Sequence, residues 1–84
     1  MLIYGDEIKL FLKEMGFIPS DSSVLNYPLR DLYKKFFLYC LEKEPEMKKK
    51  EWILYKQFRQ LMRDNNFITL KYNGVFKIFY NFEK

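Results

Sequence analysis

The dipeptide Asn73-Gly74, set between two β-prone runs, restricts this chain more than any other feature. Phe67-Ile-Thr-Leu-Lys-Tyr72 precedes it and Val75-Phe-Lys-Ile-Phe-Tyr80 follows. Two residues that both tolerate positive φ between such runs specify a type I′ hairpin, whose twist matches that of the flanking strands. The predicted register sets Tyr72 opposite Val75, Lys71 opposite Phe76, Leu70 opposite Lys77 and Ile68 opposite Phe79. Both faces of this hairpin mix aromatic and basic residues, so the pattern leaves open which face meets the rest of the protein. An isolated hairpin is marginal in water, so this one must lean on something else.

The remaining chain supplies helices. From about Gly5 to Met15, the residues Ile8, Phe11, Leu12 and Met15 fall at i, i+3, i+4 and i+7, one face of an amphipathic helix. Asp6 and Glu7 sit at its start, where the helix dipole favours negative charge, and Gly16 offers a C-terminal cap. The stretch from Ile18 to Asn26 contains Pro19 and a Ser-Asp-Ser-Ser cluster and is expected to be a loop. A second helix should begin near Pro28 and end by Glu44, ahead of Pro45. Its stripe Leu29, Leu32, Tyr33, Phe36 and Cys40 has Phe37 and Leu41 beside it, the broad apolar coverage of a central helix. A third helix is expected over about Glu51 to Asn65. Tyr55, Phe58, Leu61 and Met62 form its core face, Trp52 anchors its start, and Asn65 and Asn66 suit the left-handed closing position.

Eighty-four residues make one domain, 1–84, and a chain this short buries only about 60–65% of its unfolded surface. The core must therefore be aromatic, and nine Phe, seven Tyr and one Trp provide for that. One cysteine, Cys40, excludes an internal disulfide and a cysteine-based zinc cage. Cys40 lies on the apolar stripe and reads as a small core residue. With no histidine, no Gly-rich phosphate loop, no nucleophile elbow and no carboxylate pair set by spacing, the residues do not point to an enzyme, a metal site or a cofactor. No apolar run approaches the roughly 20 residues of a membrane span, and charged residues interrupt the N-terminal apolar positions. The expectation is a soluble, cytoplasmic protein with no membrane association.

Charge is unevenly distributed. Residues 1–46 carry six Lys/Arg against eight Asp/Glu, whereas residues 47–84 carry nine against three. The C-terminal part is thus net +6 and the N-terminal part net −2. A polyanion-binding protein concentrates charge in this way, although a solvated surface alone also carries lysines.

Three helices followed by a hairpin is the order of an α+β winged helix. A helix-turn-helix of this kind sends its later helix into the major groove of DNA. On the third helix Lys56, Arg59, Gln60 and Arg63 fall on the side opposite the core: long donors for phosphate or guanine, and an amide that pairs with adenine. Lys48, Lys49 and Lys50 precede that helix, and Lys71 and Lys77 charge the hairpin. The loop from Glu44 to Lys50 is longer than the tight turn of a minimal helix-turn-helix. A polar stripe is also what any surface helix needs, so it is the combination of topology, charge segregation and hairpin lysines that favours nucleic acid.

The run Asp31-Leu32-Tyr33-Lys34-Lys35-Phe36-Phe37-Leu38-Tyr39-Cys40 resembles a stretch in the C-terminal winged-helix domain of phage, plasmid and viral primase-helicases of the satellite-phage and poxvirus type. Phe58-Arg59-Gln60-Leu61 and Asn66-Phe67 are similar to that family's next block, and Ile8 to Leu12 with the Ser20-to-Val24 loop to its lead-in. The chain departs from it with Asn66 where glycine is common and in the Lys48–Lys50 run. The resemblance implies a DNA-binding module in the replication of a mobile element or virus, following a hexameric ATPase motor either as a fragment or as a stand-alone protein. It implies duplex, forked or single-stranded DNA as ligand and a replicative helicase or other replication protein as partner, with the domain a monomer or weak dimer. The alternative is a protein–protein interaction module that docks a replication partner or dimerises without touching DNA.

Overall fold

The computed structural model describes residues 2–83. It is an α+β fold of three helices and a small antiparallel sheet of four strands. Helix α1 spans Tyr4–Met15, with Ile8, Phe11 and Leu12 buried on the face that the spacing defined. Gly16 closes it at φ 74°, giving its N–H to the carbonyls of Leu12 and Lys13. A side chain at that φ is strained, so glycine is the natural residue there.

Strand β1 (Phe17–Pro19) and strand β2 (Asn26–Pro28) follow, where the sequence suggested only a loop. Each is three residues long and ends at a proline, so local propensity gives little sign of them. Their partner is the last strand, with paired residues 49 to 65 positions apart in the chain. The segment between them does turn on its serines: Ser20 Oγ accepts from Ser22 N at 3.1 Å, and Ser22 Oγ from Val24 N at 3.3 Å.

Helix α2 (Leu29–Lys43) starts directly after Pro28 and stops at Glu44, before Pro45. Leu29, Leu32, Phe36 and Cys40 have no exposed surface, while Tyr33, Phe37 and Leu41 are half-buried beside them. It is the central helix that its two stripes implied. Phe36 is the hub, with its ring 5.2 Å from Phe11, 5.5 Å from Phe58 and 6.2 Å from Tyr4.

The third helix begins later than its periodicity suggested. Residues Lys49–Glu51 form a 3-10 turn, an extended stretch follows, and α3 runs from Tyr55 to Asp64. Tertiary contacts hold the extended stretch out of the helix. Trp52 packs edge-on to Phe37 at 4.8 Å, and Ile53 is buried with its carbonyl taken by the Tyr33 hydroxyl at 2.7 Å. Gln57 Oε1 then accepts from Leu54 N at 2.9 Å, satisfying a free N–H at the helix start. Asn66, at φ 72°, turns the chain out of α3, and Phe67 returns an N–H to the Met62 carbonyl at 3.0 Å.

Strands β3 (Thr69–Tyr72) and β4 (Val75–Phe82) form the expected hairpin. Asn73 and Gly74 have φ of 49° and 80°, and the register pairs Tyr72 with Val75, Lys71 with Phe76 and Leu70 with Lys77. Phe79 N donates to Ile68 O at 3.1 Å, which continues the register as expected.

Strand β4 pairs with all three others. Phe79 N and Glu83 N point to the edge occupied by β3 and then by Gly16 at the start of β1, and Tyr80 N points to Leu25 on the opposite edge. Strands β1 and β2 therefore lie on opposite sides of β4, and residues 20–25 cross over it. Phe76, Ile78 and Tyr80 face the helices, which settles the question the hairpin pattern left open. Phe79 projects the other way yet is only 5% exposed, in a hollow it shares with Ser23 and Asn26 of the crossing segment. Among the described residues the core holds no buried polar or charged side chain, and no helix is long and apolar enough to cross a membrane.

Candidate nucleic-acid interface

The face of α3 turned away from Phe58 and Met62 carries Lys56, Gln60 and Arg63, all exposed. Arg59 lies on the flank nearest the hairpin and is half-buried, with its guanidinium 4.7 Å above the Phe76 ring. Two of these side chains are already engaged. Gln60 Nε2 donates to Asp64 Oδ1 at 2.9 Å, and Arg63 Nε donates to Thr69 Oγ1 at 3.0 Å, tying α3 to the start of β3. The Arg63 terminal nitrogens remain for another acceptor, and the guanidinium is held in one direction by that bond.

The hairpin lysines separate. Antiparallel pairing puts Lys71 on the same face as its partner Phe76, towards the helices, and its ammonium stands 5.6 Å from that ring. Lys77 pairs with Leu70 on the opposite face, beside Tyr72, Asn73 and Phe79. Only Lys71 therefore joins the α3 cations; Lys77 charges the outer face of the sheet. That outer face also carries Ile18, Ile68, Leu70, Tyr72 and Val75, all exposed, together with Asn26 and Asn81.

Lys48, Lys49 and Lys50 are exposed in and just before the 3-10 turn. Glu51 Oε1 accepts from Lys48 N at 3.2 Å, and the Tyr4 hydroxyl donates to the Glu51 carbonyl at 2.6 Å. This turn is thus anchored to the start of α1, while the α3 stripe is anchored to the hairpin.

A further cation, which the sequence did not single out, completes the hairpin side. Arg30, in the first turn of α2, lines a pocket of about 270 Å³ with Tyr55, Lys71, Gly74, Val75 and Phe76. Burial raises the Tyr55 phenol above its usual 10.0, and the nearby Arg30 and Arg59 guanidiniums oppose that rise. Among the described residues no carboxylate lies within ion-pair distance of Arg30, Arg59 or Lys71. Three unneutralised cations so close together repel one another, a cost that a bound anion would relieve. Periodicity makes Arg30 only one more polar position on a helix. Folding brings the start of α2 against α3 and the hairpin, and no local pattern carries that information.

Elsewhere the strongest charge contact is structural. Lys43 Nζ donates to Glu7 Oε2 at 2.9 Å and stands 4.7 Å over the Tyr39 ring, fastening α2 to α1. Its pKa is raised by Tyr39 first and then by Glu7. Cys40 is buried, and burial pushes its thiol up to about 11, which keeps it protonated and unreactive at neutral pH. Comparison with protein-family models, curated protein sequences and solved structures finds no match to this chain.

Proposed function

We propose that the protein is a non-catalytic winged-helix module that binds DNA through α3 and the β3–β4 hairpin. One observation carries this reading. Arg30, Lys56, Arg59, Arg63 and Lys71 converge from three elements on one side of the molecule, with no carboxylate in ion-pair distance of any of them among the described residues. The three-helix arrangement with a docked hairpin supports the winged-helix assignment, and β1 and β2 extend the sheet beyond the minimal order. On this reading α3 lies along the major groove, with Gln60 directed at base edges. Lys56, Arg59, Arg63, Lys71 and Arg30 meet phosphates, and the Lys48–Lys50 turn and Lys77 extend the positive field to either side. Service in the replication of a mobile element or virus, beside a replicative helicase, is the setting that the sequence resemblance suggests.

A second reading rests on the outer sheet face, where Ile18, Ile68, Leu70, Tyr72 and Val75 are exposed around Lys77. Exposed apolar side chains on one face suit a protein partner or a second copy. The two readings separate in one titration of labelled duplex and single-stranded DNA. DNA binding predicts salt-sensitive association that is lost in the variant Lys56→Ala/Arg59→Ala/Arg63→Ala while its circular dichroism stays native. Absence of DNA binding at low salt, or binding unaffected by the triple substitution, removes the α3 interface and leaves the sheet face as the functional surface.

A further inference from the structure

The pocket between the start of α2, the start of α3 and the hairpin tip differs in kind from the exposed α3 stripe. It is concave where the stripe is convex. Arg30 and Lys71 stand on its walls, Tyr55 and Phe76 form its apolar lining, and Arg59 covers the Phe76 ring at 4.7 Å. Its volume of about 270 Å³ is just under the range of small-molecule sites, about 300–1,000 Å³.

An internal phosphodiester can meet the cations at the rim of this pocket but does not enter it. It carries a single charge, and chain leaves it in both directions, so it meets open surfaces such as α3 more readily than a hollow. A phosphate monoester carries about −1.5 to −2 charges near neutral pH and has chain on one side only. Such a group enters a pocket, matches several unneutralised cations, and leaves its sugar or base against the tyrosine and phenylalanine rings. Guanidinium and ammonium donors suit its three oxygens, since charge-assisted hydrogen bonds are the strong ones.

We propose that this pocket is a site for a phosphate monoester borne on a nucleotide, with Arg30 and Lys71 as the phosphate ligands and Arg59 as the supporting charge. The same chemistry is offered by the phosphorylated end of a DNA strand and by a free nucleoside monophosphate. The strand-end form rests on the DNA-binding reading above; the free-nucleotide form does not.

The test titrates the intact chain with short duplex and single-stranded oligonucleotides carrying a 5′-phosphate, a 3′-phosphate or hydroxyls at both ends, and with free nucleoside monophosphate. Lys56→Ala/Arg63→Ala serves as the comparison variant for the stripe. The strand-end form predicts that one phosphorylated end binds about tenfold more tightly than the hydroxyl strand, about 1.4 kcal/mol. That ratio should fall to near unity in Arg30→Ala and in Lys71→Ala. In Lys56→Ala/Arg63→Ala it should persist although overall affinity drops. Arg30 and Lys71 are both exposed, so thermal melting of their variants should match the parent chain. Equal affinity for all strand ends, with DNA binding intact, overturns the strand-end form and leaves the DNA reading standing. Saturable, Arg30-dependent binding of free nucleotide without any oligonucleotide binding supports the pocket and overturns the DNA reading. No binding of either ligand overturns both.

Discussion

Removing Lys56 and Arg63 should change the salt dependence of duplex binding by a calculable amount. Association of a protein with duplex DNA releases about 0.9 counterion for each phosphate it neutralises. Five cations face the α3 and hairpin side: Arg30, Lys56, Arg59, Arg63 and Lys71. Lys77 is excluded because antiparallel pairing turns it to the other face of the sheet. If each of the five meets one phosphate, log K falls with log salt at a slope of about −4.5. Affinity then drops about 500-fold as salt rises fourfold. Lys56→Ala/Arg63→Ala leaves three contacts, a slope of about −2.7 and a drop of about 40-fold over the same interval. Both side chains are exposed, and the loss on folding is confined to the Arg63–Thr69 hydrogen bond, about 1 kcal/mol. Fluorescence anisotropy at a series of salt concentrations measures both slopes, with circular dichroism as the folding control. A parent slope shallower than about −1, or one that the double substitution leaves unchanged, refutes the assignment of α3 as the phosphate-contacting element.

Phe36 is fully buried against rings from α1 and α3, so Phe36→Ala should cost about 3–5 kcal/mol. An 84-residue domain has about 4–13 kcal/mol in all, so urea titration should find Phe36→Ala stripped of a large share of its stability and Phe36→Leu only about 1–2 kcal/mol weaker than the parent. Gly16 caps α1 at φ 74°, with open space around its missing side chain, and Gly16→Ala should lower stability by about 1 kcal/mol through backbone strain alone. An unchanged melting temperature in that variant contradicts the left-handed cap. Cys40 is raised from 9.0 to about 11, chiefly by burial and then by Glu7, and burial also raises Tyr4 and Tyr55. These groups are neutral when protonated, and the folded chain keeps protons that the unfolded chain has already released. The Cys40 contribution is complete below about pH 9 and is lost as pH rises towards about 11, and the two phenols add to the fall above their usual 10.0. Urea midpoints should fall across that window, and less steeply in Cys40→Ala; a flat or rising midpoint would show that the thiol is not buried.

Much of this protein is determined by near neighbours in the chain. Asn73-Gly74 specifies the hairpin and its register, because positive φ at two successive residues admits few alternatives. The spacing of Ile8, Phe11 and Leu12, and of Leu29, Leu32, Phe36 and Cys40, determines two helices and the faces they bury. Gly16 and Asn66 mark where helices close. The basic stripe of α3 is equally visible, since a residue's side of a helix follows from counting.

Tertiary structure decided whatever depends on partners far along the chain. Strands β1 and β2 are three residues each and exist because β4 offers an edge on either side, which no local pattern reports. The third helix starts at Tyr55 rather than near Glu51 because Phe37 and Tyr33 of α2 hold Trp52 and Ile53 in an extended stretch. Lys71 and Lys77 look alike in the sequence, yet only docking of one hairpin face on the helices puts Lys71 beside Arg59 and leaves Lys77 outside. Arg30 enters the same pocket as Lys71, some forty residues later in the chain, only once α2, α3 and the hairpin have packed. Local sequence chooses elements because backbone preference and hydrophobic period act over a few residues. A pocket is made where several elements meet, and their meeting is decided by how the shared core packs.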